Sequence, residues 1–276
     1  MTEFTGKVVW VTGAARGQGR AHALAFAEAG AHVVATDIAD RIDSIPYPLG
    51  SADELAETAR EITANGGSVT TAHVDVRDRT AVTALVSRVG AERGGIDVLI
   101  TNAGVCAFES VESMTHQQWS DMIDVNLTGT FNCVQAVLTS MKERRYGRIV
   151  AISSGAGRGG MMNLSHYAAA KWGVIGFIKS VALEVGAYGI TANVVCPASV
   201  GTPMILNQAT MKRYCPTVEH PTADDLAAVF AGWSPLGVPW LDAEDVTRAV
   251  LYLAADRGVT TGTVVEVNLG TTAGRA

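Results

Sequence analysis

Tyr167, Lys171 and Ser154 have the types and spacing of a proton-handling unit. In Tyr167-Ala-Ala-Ala-Lys171 the four-residue step, taken on a helix, places phenol and ammonium on one face about one turn apart. Taking a hydride from a secondary alcohol needs a base for the hydroxyl proton, and a tyrosine with a pKa of about 10 is protonated at neutral pH. A close cation lowers such a pKa by about 1–3 units, and an oxidised nicotinamide ring adds a second positive charge. Ser154, thirteen residues before Tyr167, then stands to hydrogen-bond the substrate oxygen and hold it in line. Taken alone, Tyr-x-x-x-Lys equally describes a surface tyrosine beside a solvated lysine.

The turn that would position such chemistry lies near the start of the chain. An apolar run, residues 8–12, is followed at once by Gly13-Ala-Ala-Arg16-Gly17-Gln18-Gly19, which opens a helical stretch over residues 20–29. Strand, glycine turn and helix form the context of a dinucleotide site, because glycines let the backbone approach a pyrophosphate and the helix start offers it unpaired N–H groups. Asp37 ends the next apolar run, eighteen residues beyond Gly19, where a carboxylate can accept from both ribose hydroxyls and repel a 2′-phosphate. The expected cofactor is therefore NAD rather than NADP, with Arg16 the residue able to soften that preference.

Composition narrows the remaining classes. The 276 residues are 48% hydrophobic and 17% charged, enough for one large core. A net charge of −6 and a pI near 5.5 argue against nucleic acid and anionic membranes as partners. Cys106, Cys133, Cys196 and Cys215 show no close pairing and no charged-then-apolar leader opens the chain, so free thiols and a cytoplasmic location are expected. Six histidines include no His-x-x-x-His, no metal is expected, and His166 reads as a pocket wall or helix-face residue.

Strand-like runs at residues 7–12, 32–37, 68–75, 98–101, 148–153, 191–196 and 264–268 alternate with helix-like segments. Alternation predicts a parallel sheet, and near-continuous apolar runs such as residues 149–152 predict strands covered on both faces. The expected fold is α/β: one Rossmann-type, doubly wound domain of about seven strands over residues 1–276, with ligands at the carboxyl ends of the strands.

These motifs, in this order, resemble those of a classical short-chain dehydrogenase/reductase from about residue 6 to residue 270. The resemblance implies that Asp75-Val76 contacts the adenine, that Asn102-Ala103-Gly104 shapes the cofactor cleft, and that Thr202-Pro203-Met204 reaches the nicotinamide amide. It adds Gln18, Ile38, Pro197 and Val200 to the cofactor contacts, and gives Lys171 the ribose as well as Tyr167. Asn126 falls where the family's fourth catalytic residue lies, holding a water that relays protons towards Lys171. One departure is Ala198 after Cys196-Pro197, where many members carry glycine, so a slightly different turn is expected. The family also implies a homotetramer paired through the long helices after Gly104 and around Tyr167.

A second departure is an insertion at residues 39–50, with Pro46, Tyr47 and Pro48, over the adenosine half of the cofactor. Prolines and a tyrosine cost little entropy to order, so a lid is expected there. With Arg16, Gln18 and Thr202-Pro-Met-Ile205, this insertion resembles mycofactocin-associated, carveol dehydrogenase-like enzymes. That resemblance implies NAD held without exchange and reoxidised by an external redox carrier. A substrate lid is expected over residues 199–240, rich in apolar bulk such as Met204, Ile205, Leu206, Met211, Tyr214, Phe230, Trp233, Leu236 and Trp240. With Cys106, Phe108, Met161 and Met162, these residues suit a compact hydrophobic alcohol or ketone, and Lys212 and Arg213 would meet a carboxylate only if the lid folds inward. The alternatives are an ordinary carbonyl reductase or steroid-type dehydrogenase with exchangeable NAD(P), and a non-enzymatic dinucleotide sensor. An epimerase is disfavoured by the 105 residues left after Lys171, and a serine hydrolase by the missing glycine before Ser154.

Overall fold

β1 (Val8–Thr12) is buried at every position and pairs in parallel with β2 (His32–Asp37) on one side and β4 (Val98–Thr101) on the other. With β3 (Ser68–His73), β5 (Gly147–Ile152), β6 (Ile190–Pro197) and β7 (Val264–Val267), these strands make one parallel sheet in the order β3-β2-β1-β4-β5-β6-β7. The computed structural model describes residues 3–273. All seven expected strands are present. β3 ends at His73 rather than residue 75, because the Asp75 carboxylate accepts from the Arg77 N–H and turns the chain away.

Alternate residues of each strand feed opposite cores. Trp10, Val34, Leu99 and Ile149 pack with α3 (Arg79–Arg93), α5 (Gly129–Arg144) and α6 (Ser165–Val185). Val9, Val33, Ile100 and Val150 pack with α1 (Gly17–Glu28), α2 (Ala52–Ala64) and α9 (Ala243–Ala255). Helices on both faces of a parallel sheet make the doubly wound arrangement, and its strand order reverses between β1 and β4, opening a crevice at their carboxyl ends. α4 (His116–Ile123) runs through a π turn at Asp124–Thr128 into α5. The short helices α7 (Gln208–Tyr214) and α8 (Ala223–Ala231) form a small cluster of their own around Leu226 and Phe230.

Helix starts differ in a way that matters at the crevice. α2 is closed by a capping box between Ser51 and Glu54, and α3 by the Asp78 carboxylate. α1 starts at Gly17, three residues earlier than expected, with no side-chain cap and no acidic residue in its first turn. Its first N–H groups therefore face the crevice as donors. Ala198 adopts no left-handed backbone; among the described non-glycine residues only Ala39, Arg145, Asn163 and Leu269 do. Among the described residues no helix is long and apolar enough to cross a membrane.

Candidate active site

Two adjoining cavities open at the carboxyl ends of the strands. The first is walled by Gly13, Arg16, Gly17, Gln18, Asp37, Ile38, Asp75, Val76, Asn102, Ala103, Gly104, Thr202 and Met204, most of the residues that the motifs single out. Gly13 and Gly17 have φ of 67° and 56°, and a Cβ on Gly19 would collide with the Gly13 carbonyl oxygen, so the turn tolerates no side chain. Asn102 holds it from below, its Nδ2 donating to the carbonyls of Thr12 (2.9 Å) and Gly13 (3.2 Å). The Gln18 Oε1 is buried without a partner and borders both cavities. A bare helix start and a glycine turn together form a cradle for a pyrophosphate.

Asp37 is buried at the wall, accepting from the Ala15 N–H at 3.1 Å, and burial raises its carboxyl above the usual range against the pull of that bond. Arg16 is engaged elsewhere: it donates to the Pro48 carbonyl and lies 3.8 Å from Glu54. The segment 38–50 packs down rather than out, burying Ile42, Ile45 and Tyr47, and lines the first cavity with Ile42, Tyr47, Leu49 and Gly50. It is fastened by Ser44, whose hydroxyl donates to Asp121 at 2.8 Å, while Asp121 and Asp75 share the Arg77 guanidinium. Ile42, Tyr47, Leu49 and Gly50 belong to the insertion from which a lid was expected, whereas Val74, Val105 and Val125 escaped the motif reading because isolated apolar residues carry no signal of a cavity.

Ser154 and Tyr167 both line the second cavity, and the serine side chain acts to lower the phenol's pKa. Tyr167 and Lys171 lie on α6, and the lysine Nζ sits 5.6 Å from the phenol ring centroid while donating to the Ile152 carbonyl at 3.0 Å. Burial dominates this corner: it pushes the Tyr167 phenol up, against the Ser154 hydrogen bond, and brings the Lys171 ammonium down to about 8. Asn126 belongs to the π turn and clamps the strand exit, donating to the Val105 carbonyl at 2.9 Å and accepting from its N–H at 3.3 Å. A Cβ on Gly104 would lie 2.8 Å from the Asn126 Oδ1 and 3.5 Å from the Lys171 Nζ, so the three meet at one point. The π turn left no mark in the sequence, although such bulges recur at functional sites.

The second cavity, about 380 Å³, is also bounded by Pro197, Val200, Cys106, Phe108, Met161, Met204, Ile205, Tyr214, Phe230 and Trp233. Among the described residues no Asp, Glu, Lys, Arg or His side chain borders it. Tyr214 meets Phe108, Phe230 and Trp233 edge-on, with centroids 5.0 to 5.5 Å apart, giving an aromatic wall. Of the expected apolar residues, Met211 is buried in the lid cluster, Met162 and Leu236 face outward, and Leu206 and Trp240 pack on that cluster away from the lining. Arg213 donates to the Asn163 amide oxygen at 3.1 Å, with that amide turned towards it, and stays out of the cavity. Leu269, Thr271 and Thr272 close the far end from the carboxyl side of β7, a contribution that no local pattern signalled. All four cysteines are free and buried, and among the described residues no His, Cys, Asp and Glu cluster of metal-binding size occurs. His166 is buried with both ring nitrogens unpartnered and borders neither cavity.

A glycine-turn crevice joined to a Ser-Tyr-Lys centre defines a family, and residues 7–213 match the model of the short chain dehydrogenases. The chain belongs to this oxidoreductase family. It is 40% identical to (-)-trans-carveol dehydrogenase of Rhodococcus erythropolis, over 99% of both chains. Carveol dehydrogenase from Mycobacterium avium in complex with NAD superposes with a TM-score of 0.95 at 39% identity, covering 98% of each chain. A short chain dehydrogenase from Mycobacterium paratuberculosis bound to NAD follows at 0.87 and 34%, covering 98% of this chain and 99% of the other.

Proposed function

We propose that the protein oxidises a compact, uncharged, alicyclic secondary alcohol to its ketone, or runs the reverse, with NAD in the first cavity. The observation that carries this reading is a Ser154–Tyr167 pair at the border of a largely apolar cavity whose walls, among the described residues, hold no carboxylate, amine, guanidinium or imidazole. Such walls leave a charged substrate unpaired. NAD fits the first cavity better than NADP, because Asp37 faces the ribose position and Arg16 is held by Pro48 and Glu54.

The chemistry NAD supplies when bound is acceptance of the hydride, with a cationic ring that opposes the effect of burial on Tyr167. Ser154 donates to the alcohol oxygen and holds the carbon in line. With the phenol ionised under the positive charges of the cofactor ring and Lys171, the Tyr167 phenolate takes the alcohol's hydroxyl proton as the C–H bond breaks, and in the reverse direction the phenol returns it. Lys171 offers positive charge beneath that oxygen and a donor to the ribose, and Asn126 keeps the proton path to Lys171 in place through its grip on Val105.

The packed segment 38–50 supports a lid that keeps NAD from exchanging, as in mycofactocin-associated enzymes, with an external carrier reoxidising it. Buried free thiols suit a cytoplasmic location. Exposed Trp119, Phe131 and Trp172 on α4, α5 and α6 are the apolar surface through which a homotetramer would pair. A turnover count tests the central claim: protein, a panel of alicyclic alcohols and excess NAD. Reduced nicotinamide stopping near one per subunit, and resuming with an artificial acceptor, supports the sequestered cofactor. Many turnovers return the chain to an exchangeable dehydrogenase, and none with any alcohol removes the reading.

A further inference from the structure

Tyr47 joins two parts of the molecule that the sequence keeps 59 residues apart. Its ring is 8% exposed and packs in one core with Ile42, Ile45, Val105 and Val125, on the wall of the first cavity. Pro46 and Pro48 on either side fix φ and lack donors, so the ring arrives on a stiff stretch of backbone. Its hydroxyl accepts from the Cys106 N–H at 3.0 Å. Cys106 in turn borders the second cavity. The stretch leaving β4 is thus gripped at successive residues, Val105 by Asn126 from the π turn and Cys106 by Tyr47 from the segment 38–50. Cys106 and Tyr167 line the same second cavity, so this tie lies beside the reacting atoms.

We propose that Tyr47 is a positioning residue of the catalytic centre: its hydroxyl fastens the segment over the first cavity to the backbone of Cys106 in the second, so that closure over the dinucleotide also sets the shape of the substrate pocket. The proposal rests on the reading above, with NAD in the first cavity and the alcohol in the second. Without the hydroxyl, the Cys106 N–H is left buried and unpaired, and the wall it carries must shift to reach water or another acceptor.

Tyr47→Phe keeps the ring and its packing and removes only the acceptor. The measurement is single-turnover reduction of bound NAD by the best alcohol of the panel, as a function of alcohol concentration, with the melting temperature followed alongside. Tyr47→Phe is expected to raise the half-saturating concentration about tenfold while the limiting rate stays within about threefold, the signature of lost substrate binding. Ser44→Ala loosens the same segment at its other fastening, away from Cys106, and is expected to leave half-saturation within about twofold. An unchanged half-saturation in Tyr47→Phe, or an equal rise in Ser44→Ala, overturns the proposal. If no alcohol reduces the bound NAD, the functional reading fails, and the tie is read separately from the alkylation rate of Cys106 by N-ethylmaleimide, mapped by mass. There a rise of about tenfold in Tyr47→Phe and not in Ser44→Ala supports the tie, and equal rates in all three proteins overturn it.

Discussion

Gly50→Ala tests whether the segment 38–50 is seated on the ribose carboxylate. A Cβ at Gly50 would lie 2.8 Å from the Ala15 Cβ and 2.9 and 3.0 Å from the two Asp37 carboxylate oxygens, closer than real Cβ contacts. Neither neighbour yields easily: Ala15 belongs to the glycine turn, and Asp37 is held by the N–H groups of Ala15 (3.1 Å) and Ala39 (3.4 Å). Overpacking of this kind costs about 1–3 kcal/mol. If the backbone absorbs it, the melting temperature falls by about 2–10 °C. If Asp37 swings away instead, stability is kept and NAD binds about 5–150-fold more weakly, at 1.4 kcal/mol per decade. Calorimetry of the cofactor-free protein and competition with labelled NAD separate the two. Gly90→Ala is the control, because a Cβ there meets nothing within 4 Å inside α3, and it is expected to stabilise by about 0.4–1 kcal/mol. An unchanged melting temperature together with unchanged NAD affinity in Gly50→Ala refutes the seating.

Tyr167→Phe is expected to lower the single-turnover rate about 10²–10⁴-fold while NAD remains bound; a near-normal rate removes Tyr167 as the acid/base. His22 is fully buried, its Nδ1 2.7 Å from the Thr247 hydroxyl, and burial lowers its pKa to about 3 from 6.5. The unfolded chain then binds the extra proton first, so stability is lost as pH falls from 6.5 towards 3, by up to about 1.4 kcal/mol per unit. His22→Gln should flatten that part of a denaturation profile, and an identical slope would show that other groups govern it. Trp233→Ala removes the ring stacked on Phe230 at 4.9 Å and one edge contact to Tyr214. A rise of about 2–10-fold in KM for alicyclic alcohols is expected from the lost wall, and an unchanged KM would place the substrate away from it.

What could be read from the sequence was whatever depends on neighbours along the chain. Seven strands appeared because buried parallel strands are continuous apolar runs, and their ends moved by only one or two residues where a turn hydrogen bond intervened, as at Asp75. The glycine turn, Asp37 and the Tyr167–Lys171 pair were legible for the same reason: strand, turn and helix have fixed rises, so spacing alone puts Asp37 beside the glycine turn and Lys171 one helical turn from Tyr167. The tertiary structure decided what encloses them. Cavity walls form where distant segments meet, as Tyr47 meets Cys106, or Leu269 and Thr272 meet Trp233, and no local periodicity records such meetings. The π turn beneath Asn126 and the capture of Arg16 by Pro48 are likewise settled by packing over long range. So is the balance at Tyr167: sequence places a cation one turn away, but only the fold determines how much water is removed from both, and there desolvation prevails.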